Sequence, residues 1–147
     1  RVFTAELAVY VFRLQVTEHR FQVFPTFVNA GDIDHAALDS FVERRGICRD
    51  YAHMVVTLAR ASVIPARFVA CYAPDVTPQD FHAVAEVFLH DPESEGGGTW
   101  QLVDATDMAK PDEIVKIGVG RDAADVSFRT SFGMVDLCEK TVEVSRD

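Results

Sequence analysis

The stretch that decides the fold runs from Gly46 to Tyr72 and reads "GICRDYAHMVVTLARASVIPARFVACY". From Cys48 to Ala59, apolar residues recur at steps of three and four, which is the spacing of one face of a helix. After Pro65 the period changes, and "ARFVACYA" is short, β-branched and flanked by prolines, which is typical of a strand. A cysteine therefore begins a predicted helix, where free backbone N–H groups and the helix dipole stabilise an anion such as a thiolate.

The remaining patterns place helices before strands. Residues 34–45, "DHAALDSFVERR", predict a helix behind an Asp34 cap, and Gly46 ends it. Residues 81–90 and 99–106 predict two antiparallel strands, joined by the glycine-rich loop "DPESEGGG". Residues 118–133 predict a loop with a short strand or turn, and residues 135–145 an edge strand. Residues 3–15 fit a helix or a strand, and residues 23–32 a connector. This order predicts an α+β fold.

Composition limits the classes of partner. With 147 residues, 48% of them hydrophobic, we predict a single domain over residues 1–147. A net charge of -9 without a basic cluster argues against nucleic acid. No apolar run approaches the roughly 20 residues that span a bilayer, so we expect no membrane partner. Arg1 is not a natural first residue, and the sequence leaves open an upstream segment or a removed export signal.

The three cysteines are Cys48, Cys71 and Cys138. Their odd number and wide spacing match neither a disulfide framework nor a zinc ligand set, so we predict no metal and no cofactor. At least one thiol is free, which favours a reducing, cytoplasmic location. Cys71 and Cys138 lie in apolar, strand-like runs, and we expect both to be buried as small hydrophobic residues.

The predicted hairpin supplies partners for Cys48. His82 begins one strand and Asp104 ends its neighbour, so the two side chains should meet whatever the long-range fold. Asp107 is a rival for Asp104, but it lies beyond Thr106 in a predicted turn. We predict that Cys48 is a nucleophile, that His82 exchanges protons with its sulfur, and that Asp104 orients the imidazole.

Other polar residues fit structural roles better. We expect Asp50 to serve the helix terminus, and Arg67 to pair with an acidic residue across its strand. Glu86 shares the His82 face, but four strand residues separate them by roughly 13 Å, too far for proton transfer. We expect His53 to serve packing or to lie at the surface, and we expect the other histidines to be solvated or locally hydrogen-bonded: His19, His35 and His90.

Three blocks of the sequence, "GICRDYAHMVVTLARASVIPARFVACY", "DFHAVAEVFL" and "WQLVDATD", resemble the signature blocks of the transglutaminase-like superfamily, in its bacterial, cysteine-protease-type branch. A weaker echo lies in "GVGRDAADVSF". The resemblance implies a papain-like fold, with Cys48 as nucleophile, His82 as base and acid, and Asp104 as orienter. Val84 stands where the family usually has tryptophan, which bears on groove shape. No acidic cluster resembles a calcium loop, so calcium-dependent crosslinking is not implied.

These observations predict a thiol-dependent hydrolase that cleaves a peptide or isopeptide bond through a thioacyl intermediate, with a peptide or protein as its substrate. Acyl transfer from glutamine side chains to amines uses the same intermediate and stays open. A catalytically silent peptide-binding module is the alternative from another class. A thiol redox sensor fits less well, because Cys48 has no resolving cysteine near in sequence. The oligomeric state is not indicated by these residues.

Overall fold

Two helices and a four-stranded antiparallel sheet form the part of the chain that the computed structural model describes, residues 22–23 and 37–147. The helices are α1 (Ala37–Glu43) and α2 (Cys48–Ala61). The sheet strands are β3 (Ala66–Tyr72), β4 (His82–His90), β5 (Gly98–Val103) and β6 (Val115–Gly120). Two short strands, β1 (Gln22–Val23) and β2 (Arg45–Gly46), pair in parallel. Two 3-10 turns lie at Pro111–Glu113 and Ala123–Val126.

Helix α2 begins at Cys48 because the backbone of Ile47 is extended, with φ −98° and ψ 174°, and Asp50 holds the first turn. The Ile47 N–H donates to Asp50 Oδ2 over 2.9 Å. A carboxylate in this position also complements the positive end of the helix dipole. The prediction that Asp50 serves the helix terminus is therefore confirmed, and the nucleophile candidate is held at a fixed helix start.

The sheet has the strand order β5-β4-β3-β6, with every neighbouring pair antiparallel. One face packs on α2, where the apolar stripe of the helix meets small and branched strand residues: Val55 and Val56 with Ala66, Ala85, Val87 and Leu89. The opposite face of the sheet carries a second buried cluster, formed by Val69, Cys71 and Val84. The alternation of strand side chains thus places core on both faces. The α+β prediction is confirmed.

The predicted edge strand at residues 135–145 is wrong, because those residues form no strand. The sheet edge beside β3 is taken by β6 instead, of which the sequence predicted only a short strand or turn. The backbone of Val144 is bound by a side chain: its N–H donates to Gln79 Oε1 over 2.6 Å, and its carbonyl accepts from Gln79 Nε2 over 2.8 Å. A side-chain amide therefore satisfies groups that a neighbouring strand would have bound.

Cys138 is exposed, so the expectation that it is buried is wrong, and the reason is the missing strand around it. Residues 3–15, for which a helix or a strand was predicted, and Asp34, the predicted cap, lie outside the described residues. Neither helix in the described ranges is long and apolar enough to cross a bilayer.

Candidate active site

Cys48 is the first residue of α2 and is 7% exposed. It belongs to a buried cluster with Ala52 from the same helix face, Phe68 from β3 and Ala83 from β4. The apolar stripe predicted from the sequence therefore turns Cys48 toward the sheet. As the first residue of the helix, Cys48 lies at the positive end of the helix dipole, which stabilises a thiolate or the oxyanion formed when the sulfur attacks a carbonyl.

His82 is the first residue of β4, and Asp104 follows directly after the end of β5. In the hairpin register Ala85 pairs with Val103, so His82 and Asp104 are diagonal neighbours on one face. The His82 Nε2–H donates to Asp104 Oδ2 over 2.9 Å, and the two side chains are 1% and 2% exposed. The hairpin pattern in the sequence predicted this contact.

Asp104 is held by three further donors. Its Oδ1 accepts from the Thr106 hydroxyl over 2.6 Å and from the Thr106 N–H over 2.9 Å. Its Oδ2 also accepts from the Ala109 N–H over 2.8 Å. Burial favours the neutral acid, but the His82 and Thr106 hydrogen bonds outweigh it and lower the pKa of Asp104. The carboxylate is therefore ionised and fixed in orientation.

The His82 imidazole lies between Asp104 and Cys48. Burial lowers the pKa of His82, but hydrogen bonds to Asp104 and Cys48, with the negative charge they carry, raise it to about 9. Because Nε2 is engaged by Asp104, Nδ1 is the ring nitrogen available to Cys48. At neutral pH the arrangement favours an imidazolium beside the sulfur, and an imidazolium stabilises a thiolate.

Cys71 lies close to the same three side chains but differs chemically. It pairs with His82 across β3 and β4, and it is 1% exposed. Burial, followed by the negative charges of Asp104 and Cys48, raises the pKa of Cys71 to about 12. It stays a thiol at neutral pH, so its predicted role as a small buried hydrophobic residue is confirmed. Val84 is 1% exposed in the same cluster, and it therefore lies in the core instead of shaping a groove at the surface.

Aromatic side chains surround Phe81, the residue before the first residue of β4. Phe81 stacks on Phe128, with ring centroids 4.7 Å apart, and Tyr72 contacts Phe81 at 5.3 Å. The Lys140 ammonium lies 5.4 Å from the Phe81 ring and forms an ion pair with Asp80. This aromatic border offers apolar contact area next to the base.

The residues assigned structural roles have partners away from His82. Glu86 accepts from Arg67 Nε and from Lys116 Nζ, each over 2.7 Å, which confirms the predicted pairing across the strand. Asp107 is exposed in the turn after Asp104, and Asp104 is the residue whose Oδ2 is hydrogen-bonded to His82 Nε2. His90 binds the Gly97 carbonyl at the far end of β4. His19 and His35 lie outside the described residues.

Two contacts near the candidate site were not predicted from the sequence. Thr106 was considered only as the end of a strand, although Asp-x-Thr is a spacing at which a hydroxyl reaches back to a carboxylate. His53 was assigned to packing or surface, but its Nε2 accepts a hydrogen bond from the Ala123 N–H over 3.1 Å. No local pattern indicates that contact, because its partners are 70 residues apart in sequence.

Comparison with known structures supports the fold. A chain from Cytophaga hutchinsonii, described as a putative cysteine protease, aligns with a TM-score of 0.67 and 35% identity, covering 81% of this chain and 37% of that one. Legionella pneumophila LapG aligns with a TM-score of 0.53 at 16% identity, covering 84% of this chain and 72% of LapG, and shares the fold. The α+β arrangement is thus the papain-like fold of transglutaminase-like proteins.

Sequence comparison identifies the family. An uncharacterized protein of Mycobacterium leprae is 28% identical over 119 residues, which are 78% of this chain and 42% of that protein. The chain therefore spans less than half the length of this relative and of the Cytophaga hutchinsonii chain. The family model of the transglutaminase-like superfamily matches residues 6–105, which include α2 and the β4–β5 hairpin. Because this match covers more than half of the chain, the protein belongs to the transglutaminase-like superfamily.

Proposed function

We propose that this chain is a thiol-dependent amide hydrolase that cleaves a peptide or isopeptide bond, with Cys48 as nucleophile, His82 as base and acid, and Asp104 as the residue that orients the imidazole. One observation carries the proposal: the His82 imidazole is hydrogen-bonded to Asp104, Cys48 at the start of α2 lies close enough to influence the pKa of the same ring, and all three side chains are buried. Such an arrangement maintains a thiolate and a proton donor together.

In the proposed first step, the Cys48 thiolate attacks the carbonyl carbon of the substrate, and a C–S bond forms. The backbone N–H of Cys48 stabilises the oxyanion. The His82 imidazolium then gives its proton to the departing nitrogen, the C–N bond breaks, and the amine leaves. The acyl group stays on sulfur as a thioester.

In the proposed second step, water attacks the thioester while His82 accepts a proton from it. The C–S bond breaks, the acid is released, and the proton remains on His82, which restores the thiolate and imidazolium. Asp104 keeps Nδ1 aimed at the sulfur throughout, because it binds Nε2 over 2.9 Å and is itself held by Thr106 and Ala109. It also stabilises the imidazolium by its charge.

Two considerations support hydrolysis of an amide. The 35% identical Cytophaga hutchinsonii chain is described as a putative cysteine protease, although this chain covers only 37% of it, so the activity of any longer protein is part of the proposal. Acyl transfer to an amine would proceed from the same thioester. Water needs no dedicated acceptor site, which is the reason for preferring hydrolysis.

The test is the pH dependence of iodoacetamide alkylation at Cys48, measured on the Cys48 peptide by mass spectrometry. In the parent we expect rapid alkylation that persists at pH 6, whereas His82→Ala should react like an ordinary thiol, which titrates near pH ~8.5. His90→Ala, at the other end of β4, is the matched control and should behave like the parent. Equal titration curves for the parent and His82→Ala would refute the proposed nucleophile.

Incubation with glutamine-containing peptides and a labelled amine separates the two acyl acceptors. Release of acid product without incorporated label supports hydrolysis. Incorporation of the label at a rate above that of hydrolysis would show that the chain is a transferase.

A further inference from the structure

The segment Arg121–Ser127, which we call the wall segment, covers the cluster that contains Cys48. Two of its side chains, Ala123 and Val126, pack against Cys48, Ala52, Phe68 and Ala83. The segment contains the 3-10 turn Ala123–Val126, whose start is capped by the Asp122 side chain accepting from the Ala124 N–H over 2.8 Å. It therefore forms one side of the surroundings of the sulfur.

The wall segment is tied to α2 at two points. The Ala123 N–H donates to His53 Nε2 over 3.1 Å, and Arg60 Nη2 donates to the Arg121 carbonyl over 3.0 Å. The imidazole of His53 packs against the Phe68 ring, with ring centroids 4.9 Å apart. His53 thus lies between β3, which contributes Phe68 to the Cys48 cluster, and the wall segment, which covers that cluster.

Glycines in β6 allow the wall segment to lie this close. A Cβ at Gly120 would be 2.5 Å from Asp125 Cβ, and one at Gly118 would be 3.3 Å from Val126 Cγ1. Separations under about 3 Å are sterically excluded, so any side chain at Gly120 must push the segment away. The packing of the wall segment on the Cys48 cluster and its hydrogen bonds to α2 therefore both require the segment to lie close to β6.

We propose that His53 is a positioning residue that holds the wall segment against the Cys48 cluster, and that the closed segment limits the size of the groups able to reach the sulfur. This inference rests on the proposed function of Cys48 as a nucleophile. It adds a determinant of specificity: substrates must present the scissile carbonyl on a slender or extended segment, while branched or bulky neighbours are excluded.

The hydrogen bond depends on the protonation state of His53. A neutral imidazole accepts the Ala123 N–H through Nε2, whereas the protonated ring carries hydrogens on both nitrogens and cannot accept. The charged groups around His53 are Arg49, Asp50 and Arg60 on its own helix and Asp122 on the wall segment. Burial, followed by Arg49, lowers the pKa of His53, so the ring is neutral and the contact is present at neutral pH. Acid should release the segment.

The experiment compares alkylation of Cys48 by iodoacetamide and by fluorescein maleimide, each measured on the Cys48 peptide by mass spectrometry. Both reagents need the thiolate, so the ratio of the bulky to the small reagent cancels the thiolate fraction and reports access alone. We expect His53→Leu to raise this ratio by about tenfold at pH 7.5, the effect of losing one hydrogen bond on a closed–open equilibrium. His53→Gln keeps an acceptor and should retain the parent ratio.

Lowering the pH should raise the ratio in the parent but not in His53→Gln, which does not titrate. His90→Leu is the control for loss of a histidine elsewhere, and circular dichroism checks that each variant is folded. If His53→Leu does not fold, Gly120→Ala displaces the segment without touching His53 and should raise the ratio equally.

A ratio within twofold of the parent in folded His53→Leu, or in folded Gly120→Ala, would overturn the inference. The readout does not require turnover. A raised ratio in a chain that cleaves no peptide would therefore support the wall segment while counting against the proposed hydrolase. Peptidase activity with an unchanged ratio would support the hydrolase and reject the wall.

Discussion

Replacing Asp104 by asparagine should lower the pKa of His82. Burial is the largest single influence on the pKa of His82 and lowers it, whereas Asp104 and Cys48 together raise it from 6.5 to about 9. That rise corresponds to roughly 3 kcal/mol of preference for the imidazolium. Asp104 supplies the larger part, since its hydrogen bond precedes that of Cys48 in size. Asparagine keeps the shape of the side chain but removes the charge, so the pKa of His82 should fall well below about 9.

The assay is the NMR titration of the imidazole Cε1–H resonances, with His82 assigned by comparison with His82→Gln among the five histidines. Because Cys48 also raises the pKa of His82, the measurement is repeated in a Cys48→Ala background, where a smaller rise should remain. Asp107→Asn, in the following turn, is the matched control. A His82 midpoint in Asp104→Asn within half a pH unit of the parent would refute the assignment of Asp104.

Three further changes test the supporting contacts. Thr106→Val removes the 2.6 Å hydroxyl donor to Asp104 and should lower the free energy of unfolding by about 2 kcal/mol in urea denaturation at pH 7, the value of a hydrogen bond to a charged group. Glu86→Gln should also cost about 2 kcal/mol at pH 7. The pKa of Glu86 is lowered in the folded protein, with its cation partners outweighing burial, so this stabilisation is present above pH 4.5 and is lost as the pH falls through the lowered value. Gly120→Ala should lower the melting temperature measured by calorimetry, because its Cβ would lie 2.5 Å from Asp125 Cβ.

Each of these changes has a matched control at an exposed position. Thr57→Val on α2, Glu95→Gln in the hairpin loop and Gly96→Ala should each leave stability close to that of the parent. A Cβ at Gly96 meets nothing within 4 Å. Losses as large in the controls as in the test variants would show that the contacts described here do not carry the effect.

The local features of the site were predictable because their causes are local. The start of α2 at Cys48 follows from a glycine before it, a carboxylate in the first turn and an apolar stripe of helical period. The His82–Asp104 contact needed only a hairpin, in which a strand start and the end of its neighbour must be adjacent. The support from Thr106 is also local, because a hydroxyl two residues after a carboxylate can donate back to it.

Sequence by itself therefore determined the helix start, the hairpin and the three residues proposed to act together. Tertiary structure alone decided that β6, and not residues 135–145, lies beside β3, because strand-like composition does not reveal which segment wins a free sheet edge. It also decided that His53 binds the wall segment, through a contact between residues 70 apart in the chain. Local periodicity encodes neighbours along the chain, whereas such long-range contacts form only where the packing of the whole core outweighs the entropy of closing the loop.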